Sequence, residues 1–71
     1  MNEITSAQIA IKKADEFISP YYLFRRLEGA KKVEGSWVVE YDVSILGPRE
    51  IVKVKLDSKT GEVIEYTKSN K

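Results

Sequence analysis

Residues 37–45 read Trp37-Val38-Val39-Glu40-Tyr41-Asp42-Val43-Ser44-Ile45, the strongest strand pattern in the chain. Successive side chains of a strand point to opposite faces of a sheet. One face therefore carries Trp37, Val39, Tyr41, Val43 and Ile45, and the other carries Glu40, Asp42 and Ser44. Aromatic and β-branched residues dominate the first face, as a half-buried sheet surface requires. The stretch predicts a strand against which both neighbouring segments can be registered.

An amphipathic helix is predicted near the N-terminus. Thr5 as the N-cap and Gln8 three residues later form a capping box. At about 100° per residue, the apolar side chains of this segment gather on one face of the helix. They are Ala7, Ala10, Ile11, Ala14, Phe17 and Ile18. Ser19-Pro20 ends the helix, because proline lacks an N–H and biases the residue before it away from helical angles.

Residues 20–33 allow two interpretations. Ser19 and Pro20 can begin a second short helix, which Gly29 would end. Alternatively, the chain makes a helical turn near residues 20–25 and then runs as an edge strand from about Arg26 to Val33. We favour the second interpretation.

The turn Glu34-Gly35-Ser36 leads from this edge strand into the strand at Trp37. The predicted pairs are Val33 with Trp37, Gly29 with Tyr41, and Leu27 with Val43. A glycine opposite a tyrosine leaves space for the ring or marks a bulge. The same register points Lys31 inward, which protects an edge strand from pairing with another chain.

The turn Leu46-Gly47-Pro48-Arg49 leads into the next strand, and both faces of the sheet support one register. Apolar residues then oppose apolar residues, and acids oppose lysines. The predicted pairs are Val43 with Val52, Tyr41 with Val54, Val39 with Leu56, Asp42 with Lys53, and Glu40 with Lys55.

The turn Lys59-Thr60-Gly61 fits a three-residue hairpin loop with Gly61 in the left-handed conformation. It pairs Ile64 with Leu56, Tyr66 with Val54, and Glu65 with Lys55, and residues 68–71 are predicted to fray. The fold class that follows is α+β. A single domain, residues 1–71, has one N-terminal helix packed on a three- or four-stranded antiparallel β-meander.

Composition narrows the range of functions. The chain has 71 residues, with 12 basic and 11 acidic side chains, no cysteine and no histidine. It therefore lacks disulfides, Cys-based metal sites and the usual general base, and we expect no enzymatic activity and no cofactor. The many charged residues suit the surface ion pairs of a thermostable protein. No secretory signal or membrane span is recognisable, which predicts a cytoplasmic protein.

Two stretches invite a functional interpretation. Residues 57–62 resemble a calcium loop, but the positions for oxygen ligands hold Lys59 and Gly61, so a hairpin turn is favoured. A basic and aromatic surface is the second candidate, and its residues are Tyr21, Tyr22, Arg25, Arg26, Lys31 and Lys32. Such a surface can bind single-stranded nucleic acid. A charge-protected edge is favoured instead, because the overall charge is only +1.

Four stretches of the chain resemble a PepSY-type domain. They are Ala7-Gln8-Ile9-Ala10, then Gly29-Ala30-Lys31-Lys32-Val33, then the alternation Trp37-x-Val39-x-Tyr41-x-Val43, and finally Val54-x-Leu56-Asp57-x-x-Thr60-Gly61-Glu62-Val63. The resemblance implies a non-catalytic module in which a helix packs on an antiparallel sheet. It also implies a role in restraining peptidases or binding partner proteins.

The sequence thus predicts a small non-catalytic binding module whose partner is a protein or an extended peptide. Strand addition to an exposed sheet edge is an established mode of peptide capture. The alternatives are a small nucleic-acid-binding domain, which the near-neutral charge disfavours, and a structural protein that self-associates as a weak homodimer through the same edge. No membrane partner is expected.

Overall fold

A computed structural model describes residues 3–44 and 47–70 and shows an α+β fold. The elements follow the chain as α1 (Ala7–Ile18), β1 (Arg26–Val33), β2 (Ser36–Asp42), β3 (Glu50–Asp57) and β4 (Val63–Asn70). The four strands form one antiparallel sheet in the order β1-β2-β3-β4, and the helix packs on one face of it. The predicted fold class is confirmed, with four strands rather than three.

The helix begins one residue later than predicted. Ser6, in an extended conformation at φ −150°, is the N-cap, and its hydroxyl accepts the N–H of Ile9 at 3.4 Å. The assignment of Thr5 as N-cap, with Gln8 completing a capping box, is wrong. The reason lies in the preceding residue, because the buried Ile4 donates its N–H to the carbonyl of Ser58 at 2.7 Å. This bond ties the approaching chain to the sheet, and the helix starts only after Ser6.

Ser19 ends the helix and does not begin another. It has helical angles, and its N–H bonds to the Asp15 carbonyl at 2.9 Å. Tyr21 and Tyr22 both donate their N–H groups to the carbonyl of Ile18, which makes a tight turn instead of a second helix. The edge strand then runs from Arg26 to Val33, as favoured from the sequence.

The core lies between α1 and the facing sides of β2 and β3. Small helix residues allow close packing, since both Ala10 and Ala14 are fully buried. The buried residues of the cluster are Ile4, Ala10, Ala14, Ile18, Val39, Tyr41, Val43, Val52, Val54 and Leu56. Trp37 is half-buried against this core, and its indole N–H donates to the Ile4 carbonyl at 3.4 Å. Trp37 thus lies on the same half-buried face as Val39 and Tyr41, as the alternation predicts.

The register between β1 and β2 differs from the prediction. Val33 pairs with Ser36, because Glu34 and Gly35 form a two-residue turn with positive φ values of 45° and 78°. Lys31 consequently opposes Val38 and lies on the face away from the helix, so its predicted inward orientation is wrong.

A bulge also interrupts β1, between Leu27 and Gly29. Gly29 pairs with Glu40 rather than Tyr41, and a side chain placed there would meet open space. The glycine therefore makes no room for the Tyr41 ring. The alternative prediction, that this glycine marks a bulge, is the one the structure confirms.

The register between β2 and β3 is shifted by two residues. The observed pairs are Trp37 with Leu56, Val39 with Val54, Tyr41 with Val52, Val38 with Lys55, and Glu40 with Lys53. Side chains keep their predicted faces, but every predicted pair across this hairpin is wrong. The cause is a longer connection, since β2 ends at Asp42 and Val43 bonds through its N–H to the Glu50 carbonyl. The predicted positions of Ile45 and Leu46 lie outside the described residues.

The hairpin between β3 and β4 agrees better with the prediction. Tyr66 opposes Val54 and Glu65 opposes Lys55, as expected, and Gly61 has a positive φ of 74°. Leu56 opposes Val63 instead of Ile64, which has no direct partner on β3.

The prediction that the tail frays is wrong for residues 68–70, because these residues pair with β3. Residue 71 lies outside the described part of the chain.

Within the described residues, no helix has the length and apolar character needed to cross a membrane.

Candidate binding edge

The six residues predicted as a basic and aromatic surface do not form one surface. Arg25 is held by the Asp15 carboxylate through two hydrogen bonds, of which the one from Nη2 to Oδ2 is 3.0 Å long. It also donates to the Tyr22 carbonyl at 3.0 Å. The hydrogen bond from Arg25 holds the pKa of Asp15 below its ordinary value. Arg25 therefore serves to fasten the chain after α1 to the helix.

Arg26 belongs to a network of two arginines and two acids on the face away from the helix. It contacts Glu28 and Asp42 at 3.3 Å, and Arg49 contacts Glu28 at 2.8 Å and Asp42 at 3.3 Å. Two hydrogen bonds from Ser44 are the main cause that lowers the pKa of Asp42, and the two arginines add to it. The network fixes the bulged part of β1 against the end of β2.

Lys31 and Lys32 point to opposite sides of the sheet. Lys31 opposes Val38 on the face away from the helix, whereas Lys32 opposes Trp37 on the helix face. In the described part of the chain, all three arginines are paired with acidic side chains. A continuous basic surface, which nucleic acid binding needs, is therefore not assembled from these residues.

Tyr21 and Tyr22 belong instead to an aromatic cluster beside β4, formed with Phe17 and Tyr66. The Phe17 ring lies 6.0 Å from that of Tyr21 and 5.7 Å from that of Tyr66, the second pair nearly edge-on at 78°. The hydroxyls of Tyr22 and Tyr66 are 2.7 Å apart. Burial, together with this hydrogen bond, raises the pKa of Tyr66 to about 12. The cluster is fixed by ring packing on one side and by a hydroxyl contact on the other.

The cluster stands next to an edge of the sheet. In the described sheet, β4 pairs with β3 on one side only. From Glu65 to Asn70 each β4 residue opposes one residue of β3 without interruption. Tyr66 is 38% exposed and Ile64 is 52% exposed, so apolar surface accompanies this edge. We define the β4 edge as residues 64–69 together with the aromatic cluster.

The other edge, β1, is built differently. Its bulge at residues 27–29 breaks the alternation of side chains, and the charged residues Arg26, Glu28, Lys31 and Lys32 are all exposed. Bulges and charges are the devices by which proteins prevent an edge strand from pairing with another chain. Exposed apolar side chains precede this edge, where Leu23 is 82% and Phe24 is 64% exposed. In its backbone, however, β1 is the more protected of the two edges.

Part of the β4 edge was predictable from the sequence. The faces of Tyr66 and Glu65 followed from the Gly61 hairpin, and Phe17 was placed on the apolar face of α1. No local pattern indicates that Phe17 and the chain after it reach β4, because that contact depends on how the helix lies across the sheet. Comparison of the chain with family models, curated proteins and solved structures found no match. The PepSY resemblance stays a prediction.

Proposed function

We propose that the protein is a non-catalytic binding module that takes up an extended segment of a partner protein along the β4 edge. The observation that carries this proposal is the uninterrupted register of β4 beside an exposed aromatic cluster. An edge strand presents a row of backbone N–H and C=O groups, which an added strand can pair with.

The two parts of the β4 edge have different roles in this mode of binding. Backbone hydrogen bonds supply affinity that is independent of sequence, and side-chain contacts supply selectivity. Ring clusters such as Phe17–Tyr66 offer large contact areas, and they lose little conformational freedom because neighbouring rings already hold them. The hydroxyl contact between Tyr22 and Tyr66 adds to this preorganisation.

The proposal favours β4 over β1, the edge strand to which the sequence first pointed. Strand addition along β1 would have to follow its bulge and displace or accommodate charged side chains. The PepSY resemblance agrees with a non-catalytic role. In one form of this role, the module would restrain a peptidase by binding an extended segment of that peptidase. The absence of histidine and cysteine from the sequence also supports a binding role.

Selection from a random peptide library, followed by mapping on the isotope-labelled protein, tests the proposal. Amide NMR shifts on adding a selected peptide are expected to be largest at residues 64–69 and small at residues 26–33. Two N-methylated versions of the peptide, methylated at alternate residues, provide the decisive control. Only alternate N–H groups of an added strand face its neighbour, so one version should lose binding and the other should keep it.

Two outcomes would refute strand addition at β4. One is equal binding by both N-methylated versions, since an added strand pairs through only one of the two alternate sets of N–H groups. The other is a shift map centred on β1 or on the helix. Selection of no peptide above background would equally count against the proposal.

A further inference from the structure

The face of the sheet away from the helix carries charges in an ordered series. On β2 the side chains are acidic, at Glu40 and Asp42, and on β3 they are basic, at Lys53 and Lys55. On β4 the charge is acidic again, at Glu65, which opposes Lys55. Opposite charges on neighbouring strands attract, and like charges directly opposite each other repel. The next strand in the series is therefore favoured when it is basic.

Glu65 is open on the side where such a strand would lie. Its side chain is exposed, and in the described sheet only β3 lies beside it. The remaining outward residues of the β4 edge, Thr67 and Ser69, are uncharged and suit small or hydroxyl-bearing neighbours. The Glu65 carboxylate, at the start of this polar row, is thus the principal charge that an added strand would meet on this face.

The face of β4 towards the helix favours an apolar neighbour rather than a basic one. Tyr66 lies on the helix side, where its ring packs on Phe17, and Tyr21 stands beside Phe17 with 68% of its surface exposed. A side chain placed opposite Tyr66 would cover apolar ring surface, which favours an aliphatic or aromatic residue. Lys68, two positions along, is already paired with Glu50 at 2.9 Å and offers little attraction to an acid.

We infer that the occupant of the β4 edge is an extended segment in which basic and apolar residues alternate. This inference rests on the proposed strand addition. Lysine or arginine lies opposite Glu65, and an aliphatic or aromatic side chain lies opposite Tyr66. The two requirements fall on adjacent residues, because successive side chains of a strand point to opposite faces. The binding signature is therefore a basic residue next to an apolar one within an extended stretch.

A second copy of this chain satisfies part of the signature. The β1 strand carries Arg26 and Lys31 on its outward face and the exposed Leu27 on its helix face. The bulge between Leu27 and Gly29 breaks the alternation that continuous pairing with β4 would need. Continuous pairing of β4 with the β1 strand of another molecule is therefore disfavoured, and the inferred occupant is a separate partner.

Three capped peptides test this inference by titration against the protein. The first alternates lysine with valine, and the other two carry glutamate or serine in place of each lysine. We expect the lysine peptide to bind about two- to fivefold more tightly than the glutamate peptide, the ratio that one cross-strand charge pair supplies. The Glu65→Lys variant should reverse this order. Glu62→Lys, which changes an exposed glutamate of the hairpin turn instead, should preserve it.

The outcomes separate this inference from the proposed function. If all three peptides bind at residues 64–69 with equal affinity, or if Glu65→Lys leaves the order unchanged, the charge preference is refuted while strand addition stands. If no peptide shifts those amides and random-library selection also fails, the proposed function is refuted as well. Sedimentation of the protein alone addresses the second copy. Concentration-dependent dimers that Glu65→Lys or added lysine peptide disrupts would overturn the assignment to a separate partner.

Discussion

Removing the contact between Phe17 and Tyr66 tests whether the aromatic cluster is a rigid part of the fold. The rings are 5.7 Å apart and inclined by 78°, an arrangement in which the edge of one ring meets the face of the other. Such pairs contribute about 0.5–1.5 kcal/mol beyond the area they bury. Tyr66 is 38% exposed, so we expect a coupling in the lower part of this range, about 0.5–1 kcal/mol.

A double-mutant cycle measures this coupling directly. The variants are Phe17→Leu, Tyr66→Leu and both together, and the free energy of unfolding comes from urea titration followed by the fluorescence of the single tryptophan. Loss of the hydroxyl contact with Tyr22 is common to both sides of the cycle and cancels. Phe17→Leu with Val33→Ala, on the other edge strand, is the control and should be additive. A coupling below about 0.3 kcal/mol, the usual limit of additivity, would refute the ring contact.

Three further predictions concern stability. Ser6→Ala should lower the free energy of unfolding by about 1 kcal/mol through loss of the helix cap, and Thr5→Ala should lower it much less. A larger loss for Thr5→Ala than for Ser6→Ala in urea titration would show that Thr5 is the cap. Two backbone N–H groups of its own hairpin turn lower the pKa of Asp57, so its contribution to stability is full above the ordinary value of 3.8 and is lost at lower pH. Acid titrations of the parent protein and Asp57→Asn should converge as the pH falls, and parallel curves would contradict this. Burial raises the pKa of Tyr41 to about 12, so stability should be full below pH 10 and decline from there towards 12, an effect that Tyr41→Phe should reduce in alkaline denaturation.

The sequence was sufficient to predict the helix and the strands and, outside β1, the faces of their side chains. Alternation from Trp37 to Val43 placed the apolar side chains of the second strand towards the core, where Val39 and Tyr41 are indeed buried. The limits of β1 and the position of Gly61 in the last turn were also predictable. These features depend on local properties, namely the period of the side chains and the preference of glycine for positive φ.

The registers of β1 with β2 and of β2 with β3, in contrast, could be read only from the folded sheet. A shift of two residues between β2 and β3 leaves every side chain on its predicted face, so alternation cannot distinguish Tyr41 opposite Val54 from Tyr41 opposite Val52. The turn before β2 required Glu34 to adopt a φ of 45°, which few residues other than glycine and asparagine favour. Such choices are settled by the packing of the whole sheet.

The candidate site was decided in the same way. Phe17, Tyr21 and Tyr66 were each visible in the sequence, but the first two were assigned to the helix face and to a basic surface. They meet because the Phe17 ring, near the end of α1, reaches the Tyr66 ring of β4. The contact between Tyr22 and Tyr66 joins residues that are 44 positions apart. The basic residues around Arg25, in contrast, were separated by ion pairs with Asp15 and Asp42 that only the folded chain brings within reach. Local patterns specify which side chains a segment presents, whereas long-range packing specifies which of them become neighbours.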